Sequence, residues 1–189
     1  MTKQELRKHY LEKRKSLTDG ECADFNLKLY NLFFASVDLS FIHVLHTYLP
    51  IEKNNEPDTW MLVDRIRREF PNVRLSVPRV GPAGELENFF FEGLHQLQTN
   101  AWDIQEPRQG VPTPVHKIDL VIVPLLAIDR QGHRVGYGKG YYDRFLKLCA
   151  GNCKKIGLSF FPCVDVITNL DAHDVRINSC ITPQGVVNF

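Results

Sequence analysis

A glycine-rich segment between two apolar patterns constrains the fold of this chain more than any other feature. Residues 119–124, Asp-Leu-Val-Ile-Val-Pro, have the length and β-branched content of a strand that is buried on both faces. From Tyr141 to Cys149, apolar residues recur at helical spacing. The intervening segment, Gly136-Tyr-Gly-Lys-Gly140, is therefore predicted to join a strand to the N-terminus of a helix. Such a joint is typical of α/β proteins.

A loop of this kind suits a phosphate group. Glycines let the backbone approach a ligand closely, and the free amides and dipole of the following helix favour an anion. Arg134 and Lys139 add positive charge, and Asp143 in the first helical turn could help to hold magnesium. The alternative interpretation is a glycine-rich turn with no ligand. Three alternating glycines flanked by Arg, Lys and Asp favour a nucleotide-phosphate site.

Three familiar phosphate motifs do not fit this loop. The dinucleotide fingerprint and the protein-kinase glycine loop both need a glycine where Tyr141 stands. A Walker A loop needs Ser or Thr where Gly140 stands. The loop therefore belongs to another class of nucleotide site.

The rest of the chain alternates helices and strands. Capping boxes at Thr2–Glu5 and Thr18–Glu21 predict two N-terminal helices. The other predicted elements are a strand over 40–49, a helix from Asp58 or Thr59 to Phe70, an antiparallel pair over 73–80 and 85–91, and strands over 154–160 and 175–182. This order predicts a doubly wound α/β fold with a mainly parallel sheet. We find no linker, so residues 1–189 are expected to form a single domain.

The segment Asp119–Phe145 (DLVIVPLLAIDRQGHRVGYGKGYYDRF) closely resembles the signature of 5-formyltetrahydrofolate cyclo-ligases, also called methenyltetrahydrofolate synthetases. The resemblance extends over essentially the whole chain. It implies a three-layer, Rossmann-like α/β fold of the sugar-isomerase and CoA-transferase type. The chain departs from common family residues at Leu86 and Cys163, where relatives carry methionine and glutamine.

The resemblance also implies a reaction. ATP and magnesium would drive the cyclisation of 5-formyltetrahydrofolate to 5,10-methenyltetrahydrofolate, with release of ADP and phosphate. A formyl oxygen is a poor leaving group, and its phosphorylation would let nitrogen 10 of the folate close the ring. Phosphoryl transfer depends chiefly on positioning and charge stabilisation, so a covalent protein nucleophile is not needed.

Roles for individual residues follow from the same resemblance. The residues expected to act in catalysis are Lys139 and Arg134. Those expected to bind ATP are Lys3, Arg7, Arg14, Arg134, Gly136, Tyr137, Gly138, Lys139, Gly140, Tyr141 and Tyr142. Those expected to bind the folate are Leu49, Glu56, Trp102, Tyr137 and Tyr141, and the magnesium ligands are Asp143 and Asp174. The ordinary alternatives are an acid before a helix for Glu56, a core ring for Trp102 and a turn-capping residue for Asp174.

The first helix and two histidines carry further alternatives. Lys3, Arg7 and Arg14 fall within roughly 60° of one another on a helix, which ordinarily makes a solvated basic face. The resemblance favours ATP contacts instead. His43 and His46 lie three apart on a predicted strand and hence on opposite faces, so we expect structural histidines rather than a metal pair.

Composition excludes several classes of protein. The net charge of +1 gives no global argument for nucleic acid or acidic membranes. The five cysteines form no Cys-x-x-Cys pair, which argues against a disulfide framework and a structural zinc site and fits a reducing compartment. No apolar run approaches the roughly 20 residues of a membrane span, and the charged N-terminus does not resemble a signal peptide. A monomeric cytoplasmic enzyme acting on small molecules is therefore expected.

Two rival functions remain open at this point. A nucleotide- or RNA-binding module without catalysis could use the basic residues of the first helix. The low net charge and the lack of an RNA-binding signature count against it. An isomerase or acyl-CoA transferase could share the architecture, since a fold does not determine a function. The glycine-loop signature and Asp143 favour the ligase.

Overall fold

Seven strands of the described chain form one mixed sheet in the order β11-β10-β9-β6-β1-β2-β3. The computed structural model describes residues 1–101 and 103–189. The strands of the sheet are β1 (Val44–Thr47), β2 (Arg74–Val80), β3 (Leu86–Phe90), β6 (Leu120–Val123), β9 (Lys154–Leu158), β10 (Ser179–Thr182) and β11 (Gly185–Asn188). Neighbouring strands from β10 to β2 pair in parallel, and the two edge strands, β11 and β3, pair antiparallel. The predicted, mainly parallel sheet is confirmed.

Two small antiparallel pairs lie outside this sheet. They are β4 (Leu97–Thr99) with β5 (Gln105–Pro107), and β7 (Ala127–Ile128) with β8 (Arg134–Val135). In the sequence, the second pair lies between β6 and the glycine loop, and the loop begins directly after β8.

The α-helices of the described residues are α1 (Lys3–Lys15), α2 (Asp19–Ser36), α3 (Trp60–Glu69) and α4 (Tyr141–Leu148). Both predicted capping boxes are present: the Thr2 and Thr18 hydroxyls accept from the amides of Glu5 and Glu21, whose carboxylates accept from the threonine amides. Within the described residues, every helix is too short or too polar to span a bilayer.

The helices cover both faces of the sheet, which gives three layers. Helices α1, α2 and α3 pack on one face through Leu6, Phe33 and Ile66, among others, against sheet residues such as Leu45 and Ile122. Helix α4 packs on the other face through Phe145 and Leu146, against Val44, Val121 and Val123. All four residues of β6 are fully buried, because helices cover it on both sides. The α/β architecture predicted from the sequence is confirmed.

The direction of winding reverses between β1 and β6. From β1 the chain crosses through α3 to β2 on one side, and it later returns to β6 and proceeds through α4 to β9 and β10 on the other side. The carboxyl ends of β1 and β6 therefore diverge at a topological switch point. Ligands of open α/β sheets bind in the crevice at such a point.

Several predicted boundaries were too generous, and one strand was missed. The predicted strands 40–49 and 175–182 are observed as Val44–Thr47 and Ser179–Thr182, because the residues that flank them lie in loops. The edge strand β11 was not predicted. It is four residues long, follows a tight turn at Pro183 and Gln184, and begins at Gly185, which has a φ of +144°. Four residues are too few to show a clear alternation of apolar and polar side chains.

The N-terminus is anchored near the far end of the sequence. Thr2 forms a parallel bridge with Thr168, and the Thr168 amide donates to the Met1 carbonyl at 3.0 Å. The Lys3 amide donates to Asn169 Oδ1 at 2.8 Å. These contacts dock the start of α1 beside the loop that precedes β10.

Candidate functional site around the glycine loop

The glycine loop, residues 136–140, runs from the end of β8 to the start of α4. Gly138 and Gly140 have φ angles of +90° and +67°, a region that side-chain-bearing residues rarely adopt. A Cβ at Gly138 would also stand 3.0 Å from the guanidinium carbon of Arg7. Gly140 occupies the N-cap position of α4, where no side chain among the described residues caps the helix. The predicted helix after the loop is confirmed, with helical amides available to an anion. The predicted strand at 119–124 is also present as β6, but the short pair β7–β8 separates it from the loop.

Helix α1 lies directly against this loop. Arg7 Nε donates to the Gly136 carbonyl at 2.9 Å, so this basic side chain touches the loop backbone. Lys139 has an exposed side chain at the tip of the loop. Its carbonyl accepts from Arg144 Nη1 at 3.1 Å, and Nη2 of the same arginine donates to Gly84 in the β2–β3 turn at 2.7 Å. The loop is thus fastened to α1 on one side and to a hairpin on the other.

Two acidic residues lie beside the loop, each paired with a basic side chain. Arg134 Nη2 donates to Asp143 Oδ1 at 2.9 Å, and the Val175 amide donates to the same oxygen at 3.0 Å. Lys3 Nζ donates to Asp174 Oδ2, which also accepts from the Asp171 amide at 2.7 Å. The structure therefore brings together the two predicted metal ligands, because Asp174 immediately precedes the residue that Asp143 binds.

The charge state of Asp174 is set by these contacts. Burial raises its pKa, but the hydrogen bonds from Lys3 and the Asp171 amide outweigh that effect, and the pKa is lowered overall. The described chain holds no group of three or more His, Cys, Asp or Glu side chains suited to a metal ion. Each carboxylate uses one oxygen for its protein contacts, Oδ1 of Asp143 and Oδ2 of Asp174. Two carboxylates match what magnesium takes from a protein when phosphates and water complete its shell.

A second, deeper set of polar groups lies at the switch point. The Tyr137 hydroxyl donates to Glu56 Oε1 at 2.6 Å, and Arg14 Nη1 donates to the same hydroxyl at 3.1 Å. Arg14 Nη2 donates to the Leu125 carbonyl at 2.5 Å, while the Ile51 amide donates to Glu56 Oε2 at 2.7 Å. Glu56 lies in the segment after β1 and Leu125 in the segment after β6, so this set bridges the two diverging strands.

Burial governs the electrostatics of this deeper set. The side chains of Arg14 and Glu56 are 3% and 4% exposed, and their nearest charged atoms are 3.9 Å apart. Burial raises the pKa of Glu56, although the hydrogen bonds from Tyr137 and Ile51 and the charge of Arg14 act in the opposite direction. Arg14 is therefore not part of a solvated basic face, because the face it occupies is packed against the site.

The two tyrosines that open α4 point to different partners. The Tyr141 ring lies close to the turn between β2 and β3, since a Cβ added to Gly84 would be 3.8 Å from it. The Arg144 guanidinium lies over the same ring, 5.4 Å from the ring centroid. The Tyr142 hydroxyl lies 3.2 Å from His46 Nε2. His46 on β1 is fully buried, and burial lowers its pKa to about 3. The sequence predicted a structural histidine here but gave no sign of its contact with the loop helix.

Most of the predicted site residues meet around the glycine loop. Leu49 is 5% exposed and belongs to the core cluster against which Tyr137 packs. Trp102, predicted to contact the folate, lies outside the described residues. The residues that sequence reasoning missed are His46 and Arg144. Arg144 follows Asp143 directly, so its helical position could have signalled a contact with the loop.

A family model described as the 5-formyltetrahydrofolate cyclo-ligase family matches residues 1–183. The chain belongs to this family. The resemblance of the segment Asp119–Phe145 is thereby confirmed, and the protein is a member of a family of ligases. The match includes all of the residues that the structure gathers around the glycine loop.

Similar proteins support the same family. The chain is 32% identical to the mitochondrial 5-formyltetrahydrofolate cyclo-ligase of Arabidopsis thaliana, over 76% of this chain and 60% of that protein. It is 28% identical to the 5-formyltetrahydrofolate cyclo-ligase of Mycoplasma pneumoniae, over 97% of this chain and 100% of that protein. The chain thus spans slightly less than two thirds of the plant relative's length and the whole of the bacterial one.

A solved structure supports the fold. The NMR structure of Aquifex aeolicus 5,10-methenyltetrahydrofolate synthetase superposes with a TM-score of 0.84 at 29% identity, covering 100% of this chain and 93% of that chain. The fold described above is therefore shared with that synthetase.

Proposed function

We propose that the protein converts 5-formyltetrahydrofolate to 5,10-methenyltetrahydrofolate with ATP and magnesium, releasing ADP and phosphate. Its membership of the cyclo-ligase family supports the substrate class. The observation that carries the proposal is the convergence on one glycine loop of basic groups from α1 and two carboxylates from distant segments. Such a set supplies the charges that a transferring phosphoryl group requires.

The triphosphate would lie on the glycine loop at the start of α4. The amides of the loop and of the uncapped helix face an anion, and Lys139 adds an exposed ammonium at the loop tip. Arg7 already touches the loop backbone, while Lys3 and Arg134 lie beside it. In this arrangement the chain contributes charge and position rather than a nucleophile.

The folate would occupy the crevice at the switch point. Glu56 is positioned there by Tyr137 and the Ile51 amide, and Leu49 contributes an apolar surface. Tyr141 and Trp102 are proposed to complete the pocket wall. This placement would bring the formyl oxygen towards the phosphate site, so that attack by nitrogen 10 follows phosphorylation without release of the intermediate.

Magnesium would be held by Asp143 and Asp174 through the carboxylate oxygens that their protein contacts leave available. When bound, the ion would neutralise phosphate charge and orient the terminal phosphate. Arg134 and Lys3 keep both carboxylates in place in the ligand-free protein.

One absorbance assay tests the proposal. The purified protein is mixed with 5-formyltetrahydrofolate and magnesium, with and without ATP, and formation of the methenyl product is followed. We expect product only with ATP, together with one ADP for each methenyl group formed. The exposed variant Asp24→Asn serves as a matched control and should behave as the wild type. Binding of ATP without turnover would overturn the proposal and support the non-catalytic nucleotide-binding alternative.

A further inference from the structure

His46 is a polar residue in a position where a parallel sheet normally places an apolar one. It lies on the central strand β1, in register with Ser76 on β2 and Val121 on β6, and its side chain is fully buried. Helix α4 packs over it, with the Phe145 ring centroid 4.7 Å from that of the imidazole. Burial keeps the ring neutral near neutral pH.

The hydrogen bonding of His46 is incomplete. Nε2 lies 3.2 Å from the Tyr142 hydroxyl, while Nδ1 is buried with no partner among the described residues. If Nε2 accepts from the hydroxyl, Nδ1 carries an unpaired N–H; if Nε2 donates, Nδ1 is an unpaired acceptor. Either tautomer leaves a buried polar atom unsatisfied, which lowers stability. A phenyl ring at this position would not carry that penalty.

The partner of His46 stands at the most constrained turn of the site. Tyr142 belongs to the first turn of α4, next to Tyr141, whose ring lies near Gly84 of the hairpin turn, and next to Asp143, which binds Arg134 and the Val175 amide. The His46 contact ties the same turn to the central strand. Tyr141, Tyr142 and Asp143 thus place the helix start against three different parts of the protein. The Tyr142 contact is the one that depends on the imidazole.

We propose that His46 is a positioning residue that holds the Tyr142 ring and thereby sets the first turn of α4, and the end of the glycine loop, against β1. The inference rests on the proposed function, since it concerns the same phosphate site. It explains why an unsatisfied polar atom is retained in the core: sequences break a local packing rule mainly where a site requires it. His46 itself would touch neither substrate.

The test replaces His46 with phenylalanine, which has a ring without polar atoms, and with glutamine, which has an amide. His46→Phe keeps an aromatic ring but removes the hydrogen bond, so we expect an equal or higher Tm and a kcat lowered about tenfold, with the ATP KM within about twofold. His46→Gln offers an amide in place of Nε2 and should recover part of the rate. Tyr142→Phe should lose a similar factor, and the double variant should lose little more, because both remove one shared interaction.

A matched control separates positioning from general loss of stability. Val44→Ala lies on the same strand and the same face and also packs in the α4 cluster. It should lower Tm and leave kcat unchanged. A His46→Phe protein with wild-type kcat, or a kcat loss that follows Tm equally in both variants, would overturn the inference.

A second measurement does not depend on turnover. Amide hydrogen exchange at residues 144–146, whose amides donate to the carbonyls of the first turn of α4, should quicken in His46→Phe relative to the rest of the helix, and should not do so in Val44→Ala. Unchanged exchange in His46→Phe would refute the positioning role even if the wild type proved inactive. An inactive wild type with quickened exchange in His46→Phe would instead refute only the proposed reaction.

Discussion

Two sets of charged groups flank the glycine loop, and they differ in their access to solvent. The inner network consists of Arg14, Glu56 and Tyr137. The outer pairs are Lys3–Asp174 and Arg134–Asp143. Both partners of the inner ion pair are buried, at 3% and 4% exposure. The two outer carboxylates are 19% and 28% exposed, and Lys3 is 17% exposed, whereas Arg134 is as buried as Arg14, at 4%. The inner network is therefore closed to solvent, while the outer carboxylates are accessible to a ligand.

The difference separates stability from function. Removing one partner of a buried ion pair leaves a charge that neither water nor protein compensates. A partly exposed pair is screened by solvent and can open at little cost. The inner network should therefore dominate the free energy of unfolding, and the outer pairs should dominate turnover. The predictions below on the inner network and the outer pairs test this contrast directly, and those on His46 and Lys139 extend it to another buried residue and another exposed one.

The largest effect is expected from Arg14→Met. The change leaves the Glu56 carboxylate buried without its cation, so the free energy of unfolding should fall by about 3–5 kcal/mol in urea denaturation. The matched control Lys28→Met removes a lysine that is half exposed in its ion pair with Asp24, and should change stability by roughly 0.5 kcal/mol or less. Equal stability of Arg14→Met and the wild type would contradict an energetic role for the inner network.

Asp143→Asn should lower kcat about 100-fold, or about 2.7 kcal/mol, and should lower Tm less than Arg14→Met does. Asparagine keeps an oxygen for Arg134 and the Val175 amide but removes the charge. Steady-state kinetics at several magnesium concentrations measure the effect, with the exposed Asp165→Asn as control. Near-normal turnover at limiting magnesium would exclude Asp143 from metal binding.

Asp174→Asn should raise the magnesium concentration needed for half-maximal turnover, because the site loses one carboxylate. An unchanged magnesium titration would assign Asp174 to the turn alone.

Acid should destabilise the fold through His46. Its pKa of about 3 lies below the ordinary value of 6.5, so the unfolded chain binds the extra proton first. Stability is complete above pH 6.5 and declines as the pH falls, by on the order of 2 kcal/mol between pH 7 and pH 5. The titratable group facing His46 from α4 is Tyr142; β2 and β6 present Ser76 and Val121. Urea titrations should show a smaller decline in His46→Phe, and an equal decline would contradict the assignment.

Lys139→Ala should lower kcat about tenfold, because the ammonium follows the charge of the transferring phosphoryl group. Lys139→Arg should retain part of the rate, since charge is kept while geometry changes. The comparison uses kcat and both KM values, with the exposed Lys117→Ala as control. A lysine that merely points to solvent would tolerate both changes.

The smallest effect concerns the ATP KM. Replacing both Lys3 and Arg7 with alanine should raise it about fivefold and leave the folate KM within about twofold. The outer groups of α1 would then contribute binding rather than catalysis. Equal rises in both constants would point to a general disturbance of the fold, which a Tm measurement would reveal.

The sequence predicted best what depends on local pattern. The strand, glycine loop and helix between residues 119 and 148 follow from periodicity and from the conformational needs of Gly138 and Gly140. The Arg134–Asp143 pair spans nine residues within that same segment. Capping boxes located the starts of α1 and α2 because the signal lies in four adjacent residues.

The burial of individual polar residues and the contacts between distant segments could not be predicted from the sequence. Arg14 belongs to a basic helical face, and only the packing of α1 against Leu125 and Tyr137 shows that it is buried. The contact of His46 with Tyr142 likewise depends on which helix covers the α4 face of β1. Periodicity assigns a residue to a face, but it does not say what covers that face.

The docking of α1 against the loop before β10 also governs when the site can form. Lys3 and Asp174 are separated by 171 positions, and Thr2 pairs with Thr168. Helix α1 is synthesised long before these partners, so its docking can be completed only after residues 168–174 have emerged. Tyr10 on the same helix also packs against a late residue, Phe161, whose ring centroid lies 5.3 Å from its own. The two sides of the site therefore come together late in folding, and a chain cut off before Thr168 would leave α1 without its anchor.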